Sequence, residues 1–179
     1  MNIATDLSVD SAAKEKLLTT FASDIAGAGL AVMDRDLAKP WGAYFVIDED
    51  QIEQFADTFF TTMRATVHQQ IKRGLPLTPK FLVVAPGQPL SWQYHHRRSE
   101  IWRVISGPVG YVTSKTDELP TNVELKQAED TITIDQGRRH RLVGQDTWGI
   151  VAEIWLHTNP HQPSDEADIV RLEDTYGRS

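Results

Sequence analysis

The chain has 179 residues, 40% of them hydrophobic, enough for one domain with a proper core and too few for two ordinary ones. A formal charge of −7 argues against a nucleic-acid or anionic-membrane surface, which needs concentrated lysine and arginine, and points to a small-molecule partner. With no cysteine, disulfides, thiolate metal sites and cysteine nucleophiles are excluded.

The opening MNIATDLSVDSAAKEK lacks the basic and apolar run of a secretory signal, and no stretch approaches the ~20 apolar residues of a membrane span. A cytoplasmic protein is therefore expected. From about Asp10 to Ala26, Ala13, Leu17, Phe21 and Ile25 recur at helical spacing, with Ser8 or Asp10 available as cap and Gly27 and Gly29 ending the helix. Leu30 to Met33 reads as a short strand. In Lys39-Pro-Trp-Gly, proline and glycine force a turn with Lys39 and Trp41 at its edge. Ala43 to Ile47 reads as a strand, after which Asp48-Glu-Asp-Gln opens a helix with acids at its positive end. One helix over about 49–73 is expected, with Ile52, Phe55, Phe59, Phe60, Met63, Val67 and Ile71 on its apolar face and His68 on its polar side. That face suits the core, or else a dimer interface or a lid.

After the breaker-rich Gly74-Leu-Pro-Leu-Thr-Pro, strands follow one another: Lys80 to Ala85, Leu90 to His95, Glu100 to Ser106, Gly110 to Ser114, Glu124 to Leu125, Thr131 to Ile134, His140 to Val143 and Gly149 to His157. Asp117 to Asn122 reads as an exposed loop. Pro160 to Ala167 is a loop leading to Asp168 to Asp174, which folds back on the domain. Eight short strands suit an all-β barrel or jelly roll, here with two added helices. The whole of 1–179 reads as one domain: a helical extension over 1–38, and a barrel over 39–179 with the insertion at about 49–73.

Chemistry concentrates in Gly87 to Gly107. Side chains alternate along a strand, so Gln93 and His95 share a face and can meet one ion. Glu100 follows a short basic turn and can join them, and His140, after the Gly137 turn, can close the site from another hairpin. Such donors suit one divalent ion, Zn²⁺ first, with Fe²⁺, Mn²⁺, Co²⁺ or Ni²⁺ also possible. If the face of Glu153 and Trp155 is inward, Glu153 is a carboxylate near the metal. Arg97, Arg98, Arg103, Arg138, Arg139 and Arg141 gather near this stretch in an otherwise acidic chain and suggest an anionic ligand.

The spacing from Gly87 through Gln93, His95 and Glu100 to Gly107 resembles the first motif of the cupin family, with Gln93 where many members have histidine. Gly137 and His140 resemble a degraded second motif. More narrowly, Lys39-Pro-Trp-Gly, Leu90 to Glu100, His140-Arg-Leu and Asp168 to Arg178 resemble the cupin domain of type II phosphomannose isomerases, often fused to a mannose-1-phosphate guanylyltransferase. No segment resembles the nucleotidyltransferase half.

The resemblance implies a cupin jelly-roll barrel, a metal held by Gln93, His95, Glu100 and His140, and a homodimer. It also implies isomerisation or epimerisation of a phosphorylated sugar, in which Arg98 matches an arginine that matters for catalysis. Lys39, Arg98 and Arg141 would hold phosphate, and Glu153, His96 or a hydroxide on the metal would serve as base. Where the family commonly has Glu-His-Trp, this chain has Glu100-Ile101-Trp102, so a histidine linked to isomerisation is replaced. Two alternatives stand beside this reading: a non-catalytic sugar-binding cupin, and a metal cupin of another class such as a dioxygenase.

Overall fold

The computed structural model describes residues 11–178; Ser8 and Asp10, the expected caps of the first helix, lie outside them. Eleven strands form two antiparallel sheets. In chain order they are β1 (Val32–Asp36), β2 (Gly42–Ile47), β3 (Leu77–Val84), β4 (Trp92–His95), β5 (Arg98–Ser106), β6 (Val109–Ser114), β7 (Glu124–Lys126), β8 (Thr131–Ile134), β9 (Arg139–Gly144), β10 (Gly149–His157) and β11 (Ile169–Glu173). One sheet runs β1-β2-β3-β10-β5-β8 and the other β11-β4-β9-β6-β7. From β3 to β10 the chain shuttles between the two sheets, the double Greek key of a jelly roll. β1 and β2 extend one sheet, and β11 extends the other.

The helices are α1 (Ser11–Gly27), α2 (Ile52–Phe59) and α3 (Arg64–Lys72). The insertion is therefore two helices, not the single one expected over 49–73. At Phe60 the backbone leaves the helical region (φ −125°, ψ 45°), and the β-branched pair Thr61-Thr62 follows. An unbroken helix of that length would run ~37 Å. The nine-residue strands beneath it span only ~30 Å. Breaking at Phe60 lets Phe55, Phe60 and Val67 all be buried over the sheet.

Two cores lie on opposite faces of the first sheet. Leu77, Phe81 and Val83 of β3, Ala152, Ile154 and Leu156 of β10, and Ile101 of β5 point outward into a cluster with Leu18, Ile25, Phe55 and Phe60 of the helical layer. The alternate residues Leu82, Val84, Val104 and Val151 point inward and meet Tyr111 and Leu142 of the second sheet. With both faces covered, β3 is buried along its whole length, which explains its nearly continuous apolar run. No helix among the described residues is long and apolar enough to cross a membrane.

Candidate metal centre and its cavity

The inward residues of the first sheet change character along the barrel. Leu82, Val84, Val104 and Val151 are apolar, whereas Thr78, Lys80, Arg98, Glu100, Glu153 and His157 are polar or charged and nonetheless buried. Strand register assembles a site at this polar end. Gln93 lies opposite His140 across β4 and β9, and Trp155 opposite Glu100 across β10 and β5. The tight turn between His95 and Arg98 is held by Asp168, whose carboxylate accepts the backbone N–H of His96 (3.2 Å) and Arg97 (3.0 Å). Gly137, at φ +76°, turns the chain into β9 and donates its N–H to the His95 carbonyl.

His95, Glu100 and His140 each bring a ligand atom within 4.8 Å of the others, and all three are buried. Their hydrogen bonds define the lone pairs. His140 Nδ1 lies 2.9 Å from the Arg138 carbonyl, which can only accept, so Nδ1 carries a proton and Nε2 is the ring atom left to meet an ion. That Nε2 has no hydrogen-bond partner and faces Glu100 Oε2 at 3.4 Å. His95 Nε2 is 3.1 Å from the Arg98 guanidinium, an obligate donor, and so accepts too. It faces Glu100 Oε1 at 3.1 Å. Burial drives the His95 pKa down to about 4, so no imidazolium proton fills that gap at neutral pH. Two imidazole Nε2 atoms set against the two oxygens of one carboxylate fit a divalent cation.

Burial alone would raise the Glu100 pKa, but His95, Arg98 and His140 hold it well below the usual carboxylate range. With His95 neutral, Arg98 is the permanent charge among them. Its Nε donates to Glu100 Oε1 (2.8 Å) and its Nη1 to Ser164 Oγ (2.8 Å), and its plane lies 3.5 Å from the centre of the Trp155 ring. Ser164 Oγ in turn donates to Asp168 (2.6 Å), so the C-terminal segment both shapes the β4–β5 turn and fixes the arginine.

A cavity of ≈ 70 Å³ opens beside this centre, lined by Gln93, Arg98, Glu100, Trp102, Glu153, Trp155 and Lys80, with Lys39, Arg171 and Arg178 also on its wall. That volume has room for a few waters. The Trp102 indole N–H is shared between Glu100 Oε2 (3.1 Å) and Glu153 Oε1 (2.9 Å), bringing the two carboxyls to one donor. Burial, and then the neighbouring Glu100 charge, push Glu153 up to about 8. A group so poised is a proton donor and acceptor near neutral pH.

The residues singled out in the sequence fall in different places. Gln93 lines the cavity with Glu100, and its Oε1 accepts from Ser91 Oγ at 2.5 Å. Lys39 reaches the same wall while pairing with Asp36 at 3.2 Å. His96 is exposed, with its ring edge-on to Tyr94, and does not line the cavity. Arg141 does not line it either; it is tied to the Glu173 carboxylate (3.0 Å) and carbonyl (3.1 Å) and so fastens β11.

The six gathered arginines do not converge: only Arg98 lines the cavity. Arg97 pairs with Asp165 and Asp168, Arg103 with Glu129, and Arg139 with Asp117. Ile101, at the position of the family histidine, is fully buried in the outer core and points away from the cavity. Lys80, Ser164 and Asp168 were not foreseen as site residues, and Trp155 was named only for the face it shares with Glu153. The signal for Lys80 was available, a lone cation inside the apolar run LTPKFLVV.

The family model described as mannose-6-phosphate isomerase C-terminal matches residues 60–174. The xanthan biosynthesis protein XanB of Xanthomonas campestris pv. campestris (strain B100) is 32% identical over 154 residues, 86% of this chain and 26% of that protein. The mannose-1-phosphate guanylyltransferase ManC of Salmonella typhimurium is 29% identical over 148 residues, 82% of this chain and 24% of that protein. The chain thus spans about a quarter of the length of the curated relatives it matches. Among solved structures, a sugar phosphate isomerase of the cupin superfamily from Silicibacter pomeroyi aligns with 46% of this chain and 51% of its own, at 16% identity and TM-score 0.40. A cupin 2 conserved barrel domain protein from Salinispora arenicola aligns with 46% of this chain and 65% of its own, at 25% identity and TM-score 0.39.

Proposed function

Since this chain belongs to the mannose-6-phosphate isomerase C-terminal family, we propose that it is a metal-dependent isomerase of a phosphorylated sugar, interconverting mannose 6-phosphate and fructose 6-phosphate or a close pair. The observation that carries the reading is the convergence of buried His95, Glu100 and His140, with both imidazole Nε2 atoms on the one carboxylate, beside a cavity lined by a second buried carboxyl at Glu153. Gln93, His95, Glu100 and His140 would hold the ion, with Zn²⁺ the first choice for two imidazoles, a carboxylate and a neutral oxygen. A bound divalent ion supplies polarisation of the sugar carbonyl and hydroxyl, lowering the cost of the enediolate.

The protein's own residues do the rest. Glu153, kept largely protonated near neutral pH, carries a proton between sugar oxygens. Arg98, bonded to Glu100 and Ser164, fixes the carboxylate and presents its plane, set against Trp155, to the cavity, while the His95 Nε2 it now contacts would turn its one lone pair to the ion. Lys39 at the wall is suited to the phosphate as a point charge, whereas the Nε and Nη2 of Arg178 are engaged by the Asp174 carboxylate. Trp41, Trp102 and Trp155 line the space and limit water around the reacting carbons.

The replaced family histidine weighs less against this reading than its motif suggests, because Ile101 faces the helical layer. The test is metal analysis of protein purified without chelator, for wild type and for the combined His95→Ala and His140→Ala variant, coupled to a mannose 6-phosphate isomerisation assay. Bound metal and turnover that both vanish in the variant are expected. Metal without turnover on any hexose phosphate would favour a sugar-binding protein, and absence of metal from the wild type would end the reading.

A further inference from the structure

Lys80 is a cation kept in a place where burial works against it. It sits on β3 with 8% of its surface exposed, directly opposite Glu153 on β10, and lines the same cavity as Glu100 and Gln93. Its ammonium makes no ion pair or hydrogen bond among the described residues. It lies 3.1 Å from the centre of the Trp155 ring and 5.8 Å from that of Tyr44. Desolvating an ammonium without a direct partner is costly, and an apolar side chain would suit the position better on stability alone. A buried amine with no carboxylate in contact, placed on a cavity wall, points to use by whatever enters the cavity.

We propose that Lys80 is a catalytic residue of the isomerisation, its amine taking the hydrogen from the sugar carbon next to the carbonyl and returning it to the neighbouring carbon. This rests on the sugar-phosphate isomerase reading. The broken C–H pair becomes the carbon–carbon π bond, and the carbonyl π pair moves onto oxygen. On return the second sugar oxygen gives up its proton and forms the new carbonyl π bond, while the carbon–carbon π pair takes the ammonium proton at the neighbouring carbon. The ammonium formed in the first half gives up its proton in the second, and the amine is regenerated without a co-reactant. Glu153, across the cavity wall, shifts the remaining proton between the two oxygens.

The electrostatics agree with the placement. Burial pushes Lys80 down to about 8, against the pull of Glu153, with Arg98 assisting and Glu166 and Glu100 resisting, so a usable fraction of neutral amine exists near pH 7. The phenol of Tyr44 is the other titratable group facing it, from β2.

The experiment compares metal-loaded wild type, Lys80→Met and Lys80→Cys in the mannose 6-phosphate assay, with deuterium incorporation at the sugar carbons followed by NMR in D₂O. Lys80→Met is expected to lose about 100-fold or more in kcat, the ordinary worth of a positioned base, and to lose deuterium exchange, with metal content and KM nearly unchanged. Because the chain has no cysteine, Lys80→Cys can be alkylated at that one position with 2-bromoethylamine, which restores an amine and is expected to recover turnover at least tenfold.

Lys80→Met retaining turnover and exchange, or changing KM alone, would overturn the role of Lys80 while leaving the isomerase reading intact. Wild type that neither isomerises nor exchanges any hexose phosphate would overturn both. If Lys80→Met does not fold or load metal, the alkylated and unalkylated Lys80→Cys proteins decide, equal rates counting against the proposal.

Discussion

Lys80 and Phe81 are neighbours in one strand and belong to different economies. Phe81 points outward, where the rings of Phe21, Phe55 and Phe59 meet it at centroid distances of 5.1–5.2 Å. Lys80 points inward, among Glu153, Arg98 and Trp155. The same alternation runs through β5, with Ile101 outward between Glu100 and Trp102, and through β10, with Ile154 outward between Glu153 and Trp155. One face of the sheet thus stabilises the domain by burying apolar area, and the other holds charges that lower its stability and supply its chemistry. The helical layer lets the two coexist, since it covers the outer face and leaves the barrel mouth to the polar one.

This contrast breaks first at Phe81. Phe81→Ala empties the middle of the aromatic cluster and is expected to cost about 3–5 kcal/mol in stability, the usual range for a buried phenylalanine. Metal content of the surviving folded protein should not change, because none of the lost contacts lies on the inner face. Urea unfolding paired with metal analysis checks both halves, and a loss of metal at conserved stability would mean that the two faces are not independent.

A smaller effect is expected at Ile101. Ile101→His restores the residue that the family motif carries, yet places an imidazole in the outer core. The lost apolar burial and a polar ring among Phe55, Phe81 and Ile154 together are expected to cost about 3 kcal/mol. Turnover per folded molecule should stay level. A gain in kcat would show that position 101 reaches the cavity after all.

The alternation that decides Ile101 was legible in the sequence, because Glu100 and Trp102 both facing the site forces the residue between them outward. The strand-by-strand order of the barrel and the convergence of His95, Glu100 and His140 were legible in the same way, from period-two patterning and motif spacing. What escaped had physical reasons. The run LTPKFLVV is buried on both faces, so nothing in its pattern says which side its one cation takes. Arg141 was read as a phosphate ligand because sequence counts charges without their partners, and its partner Glu173 is 32 residues away on an added edge strand. The break at Phe60 is only weakly marked by Thr61-Thr62 and answers chiefly the limited span of the sheet beneath, which local propensity does not encode.

The smallest and most selective effect concerns the acid that the inner face keeps protonated. Glu153 has its folded-state pKa raised from the ordinary 4.5 to about 8, by burial first and by Glu100 second. A carboxyl shifted upward stabilises the fold fully below pH 4.5 and loses that contribution as pH rises towards 8, because the unfolded chain releases the proton first. Glu153→Gln cannot ionise, so in chelated protein its stability relative to wild type should increase by about 1.4 kcal/mol per pH unit inside that window. The cleanest interval is pH 5.5 to 6.5. His95 and His157, both lowered to about 4, also change stability there, but in the same sense in both proteins, losing it as pH falls from 6.5. Above pH 7 the comparison is contaminated, since Lys80 in the variant loses the carboxylate that supports its charge. Chemical denaturation of both proteins across that single pH unit measures the slope. A flat difference would mean that Glu153 is ionised in the fold, and that the two carboxyls sharing the Trp102 indole are held apart by a charge which Lys80, not a proton, supplies.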